Sequence, residues 1–105
     1  MIRLTVLYPN LKGSHFDWDY YVNVHTPLAK KRFGDTVLKW EIDRGLEGED
    51  PGEPPPYQVA AFITLTSLED FRRISAEHGK ELKGDFPNYT NVYPHFLISE
   101  IAVSE

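Results

Sequence analysis

The chain has 105 residues, 41% of them apolar, and carries 11 Lys and Arg against 16 Asp and Glu, a net charge of −5. That length suits one compact domain over residues 1–105, and the acidic balance without a basic stripe makes nucleic acid and anionic membrane poor partners. No cysteine is present, which removes disulfides, thiolate metal sites, iron–sulfur clusters and a cysteine nucleophile.

The opening Met1-Ile2-Arg3-Leu4-Thr5-Val6 is too short and polar for a signal peptide. No apolar stretch approaches a membrane span, so a cytoplasmic location is expected. Ile2 to Tyr8 reads as a strand ended by Pro9-Asn10. After a loop, Asp17 is a suitable helix N-cap, and helix is predicted from Trp18 to Phe33 with Gly34 as its stop. Pro27 lacks the amide that would bond the carbonyl of Asn23, so a kink or break is expected there, beside His25. Within this helix Trp18, Tyr21, Val22 and His25 fall at i, i+3, i+4 and i+7, on one face.

Thr36 to Arg44 alternates, with Leu38, Trp40 and Ile42 pointing one way and Lys39, Glu41 and Asp43 the other, as in a half-exposed strand. Gly45 to Pro56 is an acidic, proline-rich loop whose Pro54-Pro55-Pro56 end should be extended. Tyr57 to Thr66 is apolar on both faces, the pattern of a central strand covered on both sides. Ser67 caps a second helix, with Asp70 in the reciprocal capping position and Leu68, Phe71 and Ile74 as its buried stripe; Gly79 is expected to interrupt it. A loop over 85–91 leads to a last strand from about His95 to Val103. The order strand–helix–strand–strand–helix–strand predicts an α+β, ferredoxin-like βαββαβ fold, a four-stranded antiparallel sheet with both helices on one face. Strands apolar on both faces need a second cover, for which a second copy of the chain is the simplest candidate, giving a homodimeric barrel.

Tyr20-Tyr21-Val22-Asn23-Val24-His25-Thr26-Pro27-Leu28 resembles the first-helix signature of the EthD family, named for ethyl tert-butyl ether degradation. Asp85-Phe86-Pro87-Asn88-Tyr89-Thr90-Asn91, followed by Pro94, is similar to that family's second signature. The resemblance covers nearly the whole chain. It implies a dimeric α+β barrel with a pocket in each subunit between sheet and helices. Related barrels include lactone isomerases, cofactor-free monooxygenases, dehydratases and haem peroxidases, while EthD proteins have no settled reaction, so a fold transfers more securely than an activity.

His25 is the candidate catalytic residue, because an imidazole accepts and returns protons at cellular pH. The bland alternative is that it caps carbonyls freed at Pro27. Tyr21, one turn earlier, could orient it or donate to a substrate; Tyr20 points about 100° away from Tyr21, so at most one shares the face of His25. Trp18, Trp40 and Phe62 are candidate substrate-binding residues for a flat apolar ring, although ordinary core packing explains each singly. Tyr89 either closes the pocket or shapes the turn into the last strand. Glu100, on the face of Phe96 and Ile98, is a weak second carboxylate. His78 and His95 have no ligand spacing with His25, and no glycine-rich phosphate loop exists, so no metal, haem or nucleotide cofactor is expected. The leading expectation is a cofactor-independent isomerase, dehydratase or cyclase acting on a small aromatic or lactone-like metabolite. A non-catalytic metabolite-binding or accessory barrel, and a cofactor-free monooxygenase, are the alternatives.

Overall fold

The computed structural model describes residues 1–105. Strand β1 (Ile2–Pro9) is followed by a continuous helical segment made of α1 (Trp18–Tyr20), a π-helical turn (Tyr21–His25) and α2 (Thr26–Phe33). Strands β2 (Val37–Arg44) and β3 (Tyr57–Leu65) form a hairpin; α3 (Leu68–Gly84), a short 3-10 turn (Phe86–Asn88) and β4 (His95–Glu100) complete the chain. The sheet is antiparallel throughout, in the order β2-β3-β1-β4. This is the ferredoxin-like topology predicted from the strand–helix pattern.

Alternation along the strands decides the two faces. Leu4, Val6 and Tyr8 of β1 and Val59, Ala61, Ile63 and Leu65 of β3 are buried in the hydrophobic core, which also takes in Tyr21, Phe33 and Ile74 from the helices. On the opposite face Phe62 pairs across Thr5, which in turn pairs with Leu97. Leu97 is 56% exposed, so this face carries apolar side chains with no cover within the chain.

The local signals mostly act as expected. The Asp17 carboxylate accepts from the amide of Tyr20, and Ser67 Oγ accepts from the amide of Asp70. Asp70 does not return a bond to the amide of Ser67; its carboxylate takes the hydroxyl of Thr66 instead. Gly34 ends α2 with φ of 59°, a conformation that costs a side-chain-bearing residue energy and glycine little.

Four expectations are corrected. The break at Pro27 is absent: the amide of Thr26 bonds the carbonyl of Tyr21, five residues back, and the widened turn lets the helix run on with Pro27 in the first turn of α2. Gly79 does not interrupt α3, because a single glycine costs a helix only about 1 kcal/mol. A register shift between Val37 and Lys39 throws Leu38 out of the alternation, leaving it 53% exposed while Trp40 and Ile42 keep their inward direction. The last strand stops at Glu100, and Glu100 is exposed, so no buried carboxylate stands there.

Candidate functional site

Two features stand out, a polar cluster where the first helical segment meets the turn after α3, and an apolar cavity between sheet and helices. The cluster begins with the π turn. Widening the helix changes the angular spacing of its side chains, and Tyr20, Tyr21 and His25 all reach one region. His25 Nδ1 lies 2.9 Å from Asp85 Oδ2. Tyr20 donates its hydroxyl to Asp85 Oδ1 at 2.6 Å, and the Asn88 side-chain amide donates to the same oxygen at 2.8 Å. Both oxygens of Asp85 are therefore occupied. His25 is buried, its ring stacked on Tyr21 with centroids 5.6 Å apart and planes at 13°, and packed against Tyr89 at 4.8 Å.

The charges follow from these contacts. Burial raises the Asp85 pKa, but the donors Tyr20, Asn88 and His25 outweigh it and hold the carboxyl below its ordinary range. For His25, burial outweighs the attraction of Asp85 and lowers the imidazole pKa. At neutral pH the pair is thus an ionised carboxylate and a neutral imidazole with its proton on Nδ1, leaving the lone pair on Nε2. No protein group hydrogen-bonds Nε2. His25 does not cap carbonyls at Pro27; its partner is a carboxylate 60 residues away.

The cavity has a volume of about 350 Å³. Its floor contains the row Trp40–Ile63–Leu4–Ile98, one residue from each strand in register, and its roof is α2 and α3. Fifteen of its eighteen lining residues are apolar, Ser75, Gly79 and Lys83 being the others, so it suits an apolar ligand. Tyr21 and Tyr8 belong to its wall. Tyr8 shares a hydrogen bond of 2.7 Å with Tyr89, and burial raises the pKa of all three phenols, which therefore stay protonated.

Among the sequence-derived candidates, Tyr21 and Trp40 line this cavity. His25 does not; it stands behind the Tyr21 ring. Tyr89 also lies outside, bonded to Tyr8 and packed on His25. Trp18 packs on Phe16 at 5.2 Å and carries the Arg44 guanidinium 4.1 Å above its ring, outside the cavity wall. Phe62 faces the opposite side of the sheet from Ala61 and Ile63 and cannot touch the same ligand. His78 and His95 do not join His25: His78 lies 3.5 Å from Glu77, and His95 contacts Tyr57.

Sequence reasoning missed Asp85, Tyr20 and Tyr8. Asp85 opens the second signature, but no spacing rule links it to a histidine in another element. Ordinary α-helical geometry turns Tyr20 away from the face of His25, and the π turn does not obey it.

Comparison with solved structures places the fold. An EthD-like protein from Ralstonia eutropha JMP134 superposes with a TM-score of 0.92 at 35% identity, over 99% of this chain and 94% of that one. The chain belongs to the EthD-like family. An EthD family protein from Bacillus halodurans C-125 shares the fold of this EthD-like chain at 19% identity, with a TM-score of 0.72 over 95% of this chain and 97% of that one. A DABB family protein with a ferredoxin-like fold from Mesorhizobium loti MAFF303099 matches with a TM-score of 0.57 at 17% identity, covering 98% of this chain and 97% of its own. No family model and no curated protein matches the sequence. No helix is long and apolar enough to cross a membrane.

Proposed function

We propose that this EthD-like chain is a small-metabolite protein, each subunit of a homodimer taking one apolar molecule into the cavity between sheet and helices. The observation that carries the reading is the cavity itself: a chain of 105 residues leaves about 350 Å³ open along an almost wholly apolar wall. Cores otherwise pack closely, and a void of this size falls within the range of small-molecule sites. The dimer rests on the open sheet face, where Leu7, Phe62 and Leu97 sit inside a charged margin of Arg3, Lys39, Glu41 and Asp43.

A second reading, acid–base catalysis of the isomerase, dehydratase or cyclase type, is favoured by one observation. The Asp85 carboxylate fixes the His25 tautomer and leaves Nε2 without a protein partner. Since Tyr21 separates His25 from the cavity, this chemistry requires the Tyr21 ring to move aside or its hydroxyl to relay the proton.

Calorimetric titration with para-phenylphenol tests the first reading, with saturable binding expected and Gly79→Leu, which fills the cavity from α3, expected to abolish it. Absence of binding to the parent chain would overturn it. Deuterium exchange at the carbon α to the carbonyl of a bound aryl ketone tests the second, which fails if His25→Gln exchanges as fast as the parent.

A further inference from the structure

The cavity is not uniformly apolar, and its polar groups stand at opposite ends. Its floor crosses the whole sheet, from Trp40 on the edge strand β2 to Ile98 on the opposite edge strand β4, through Ile63 and Leu4. Three inter-strand spacings make this a run of about 14 Å. At the β2 end, Trp40 Nε1 is buried and has no hydrogen-bond acceptor. A buried N–H without a partner is costly, and water or a ligand normally meets it.

At the β4 end, Lys83 and Phe86 line both the cavity and a second, shallower groove that carries Thr90, Asn91 and Tyr93. These two residues therefore mark where the cavity meets the surface. The Lys83 ammonium lies 5.5 Å from the Phe96 ring centroid and forms no ion pair within the chain. Lys30 stands beside Trp40 at 5.9 Å from its ring, but it is not part of the cavity wall. The rest of the wall is almost wholly apolar, aliphatic along the floor at Ile63, Leu4 and Ile98, with aromatic rings at Phe33, Phe71, Phe86 and Phe96.

We propose that the cavity recognises an elongated aromatic carboxylate, its acid group at Lys83, its rings over the floor, and a hydroxyl or carbonyl oxygen accepting from Trp40 Nε1. This deepens the small-metabolite reading and rests on it. The placement follows from charge and hydrogen-bond supply: one unpaired cation at the mouth, one unpaired donor at the β2 end, and apolar surface between them. Lys83 is exposed, so the carboxylate keeps part of its hydration while the rings leave water.

Titration of the full chain with para-phenylbenzoate and its neutral isostere para-phenylbenzamide separates this proposal from the reading beneath it. The benzoate should bind about fivefold more tightly, and Lys83→Gln should erase that difference, chiefly by weakening the benzoate. Adding a para-hydroxyl to the distal ring should tighten binding by about fivefold, a gain that Trp40→Phe should remove. Equal binding of benzoate and benzamide would overturn the carboxylate proposal and leave the cavity reading standing. A distal hydroxyl without effect would overturn the role of Trp40. Binding of neither ring compound would overturn the cavity reading and this proposal together.

Discussion

His25 Nδ1 and Asp85 Oδ2, 2.9 Å apart, join the first helical segment to the turn that follows α3. Around this contact Tyr20 and Asn88 fill the other carboxylate oxygen, and Asp17 and Tyr89 add a backbone bond of 2.7 Å between the same two segments. The pair therefore ties these two segments of the fold together.

Removing His25 should be costly. His25→Ala deletes a buried ring packed between Tyr21 and Tyr89 and takes one donor from Asp85. A loss of about 2–3 kcal/mol is expected by urea denaturation. Asp85→Ala should cost a similar amount, since Tyr20, His25 and Asn88 all lose their acceptor, and the double variant should lose less than the sum. Additive losses would mean that the two side chains act independently.

Acid should destabilise the protein in two steps. The His25 pKa is lowered from its ordinary 6.5 in the folded state, so the unfolded chain binds the proton more readily. Its contribution is complete above about pH 6.5 and is lost as pH falls from there toward the folded value. The Asp85 pKa is lowered from 3.8, so its contribution is present above that pH and disappears as pH falls through the folded value. In His25→Gln the upper step should vanish from a plot of urea midpoint against pH and the lower step should remain.

How far the sequence discloses this depends on the range of the interaction. Strand alternation, the caps at Asp17 and Ser67 and the stop at Gly34 are local signals and were legible. The helix through Pro27 was not, because a π turn is a backbone adjustment that proline's missing amide permits but does not announce. The cavity wall could be read only in part. Tyr21 and Trp40 belong to it, but Phe62 falls on the other face by one step of the strand, and Trp18 is drawn away by Phe16 and Arg44. Asp85 was unreadable for a different reason: two of its three partners, Tyr20 and His25, come from a helix distant in sequence, and a lone carboxylate in a loop carries no periodic mark.

Gly79 faces the cavity from the middle of α3, and a Cβ there would meet only Ser75 Oγ, at 3.3 Å. That hydroxyl can rotate away. Gly79→Ala should therefore stabilise the chain by about 0.5–1 kcal/mol through helix propensity alone. A destabilised Gly79→Ala variant would mean that the roof of the cavity is already closely packed.

The open sheet face predicts self-association. The parent chain should sediment as a dimer at micromolar concentration, and a Phe62→Lys variant, with a charge at the centre of that face, should sediment as a monomer with its fold retained. A monomeric parent would leave Leu97 and Phe62 without the cover this account assigns them.

The most direct test of the account is a methyl-resolved NMR titration with para-phenylphenol. Saturable shifts are predicted at Ala29, Ala61, Ile63, Ile74 and Ile98, all on the cavity wall, with little change at the exposed Val22 and Val24 of the π turn. Shifts confined to Val22, Val24 and Thr26 would place the ligand at the His25–Asp85 cluster instead, and contradict the cavity as the binding site.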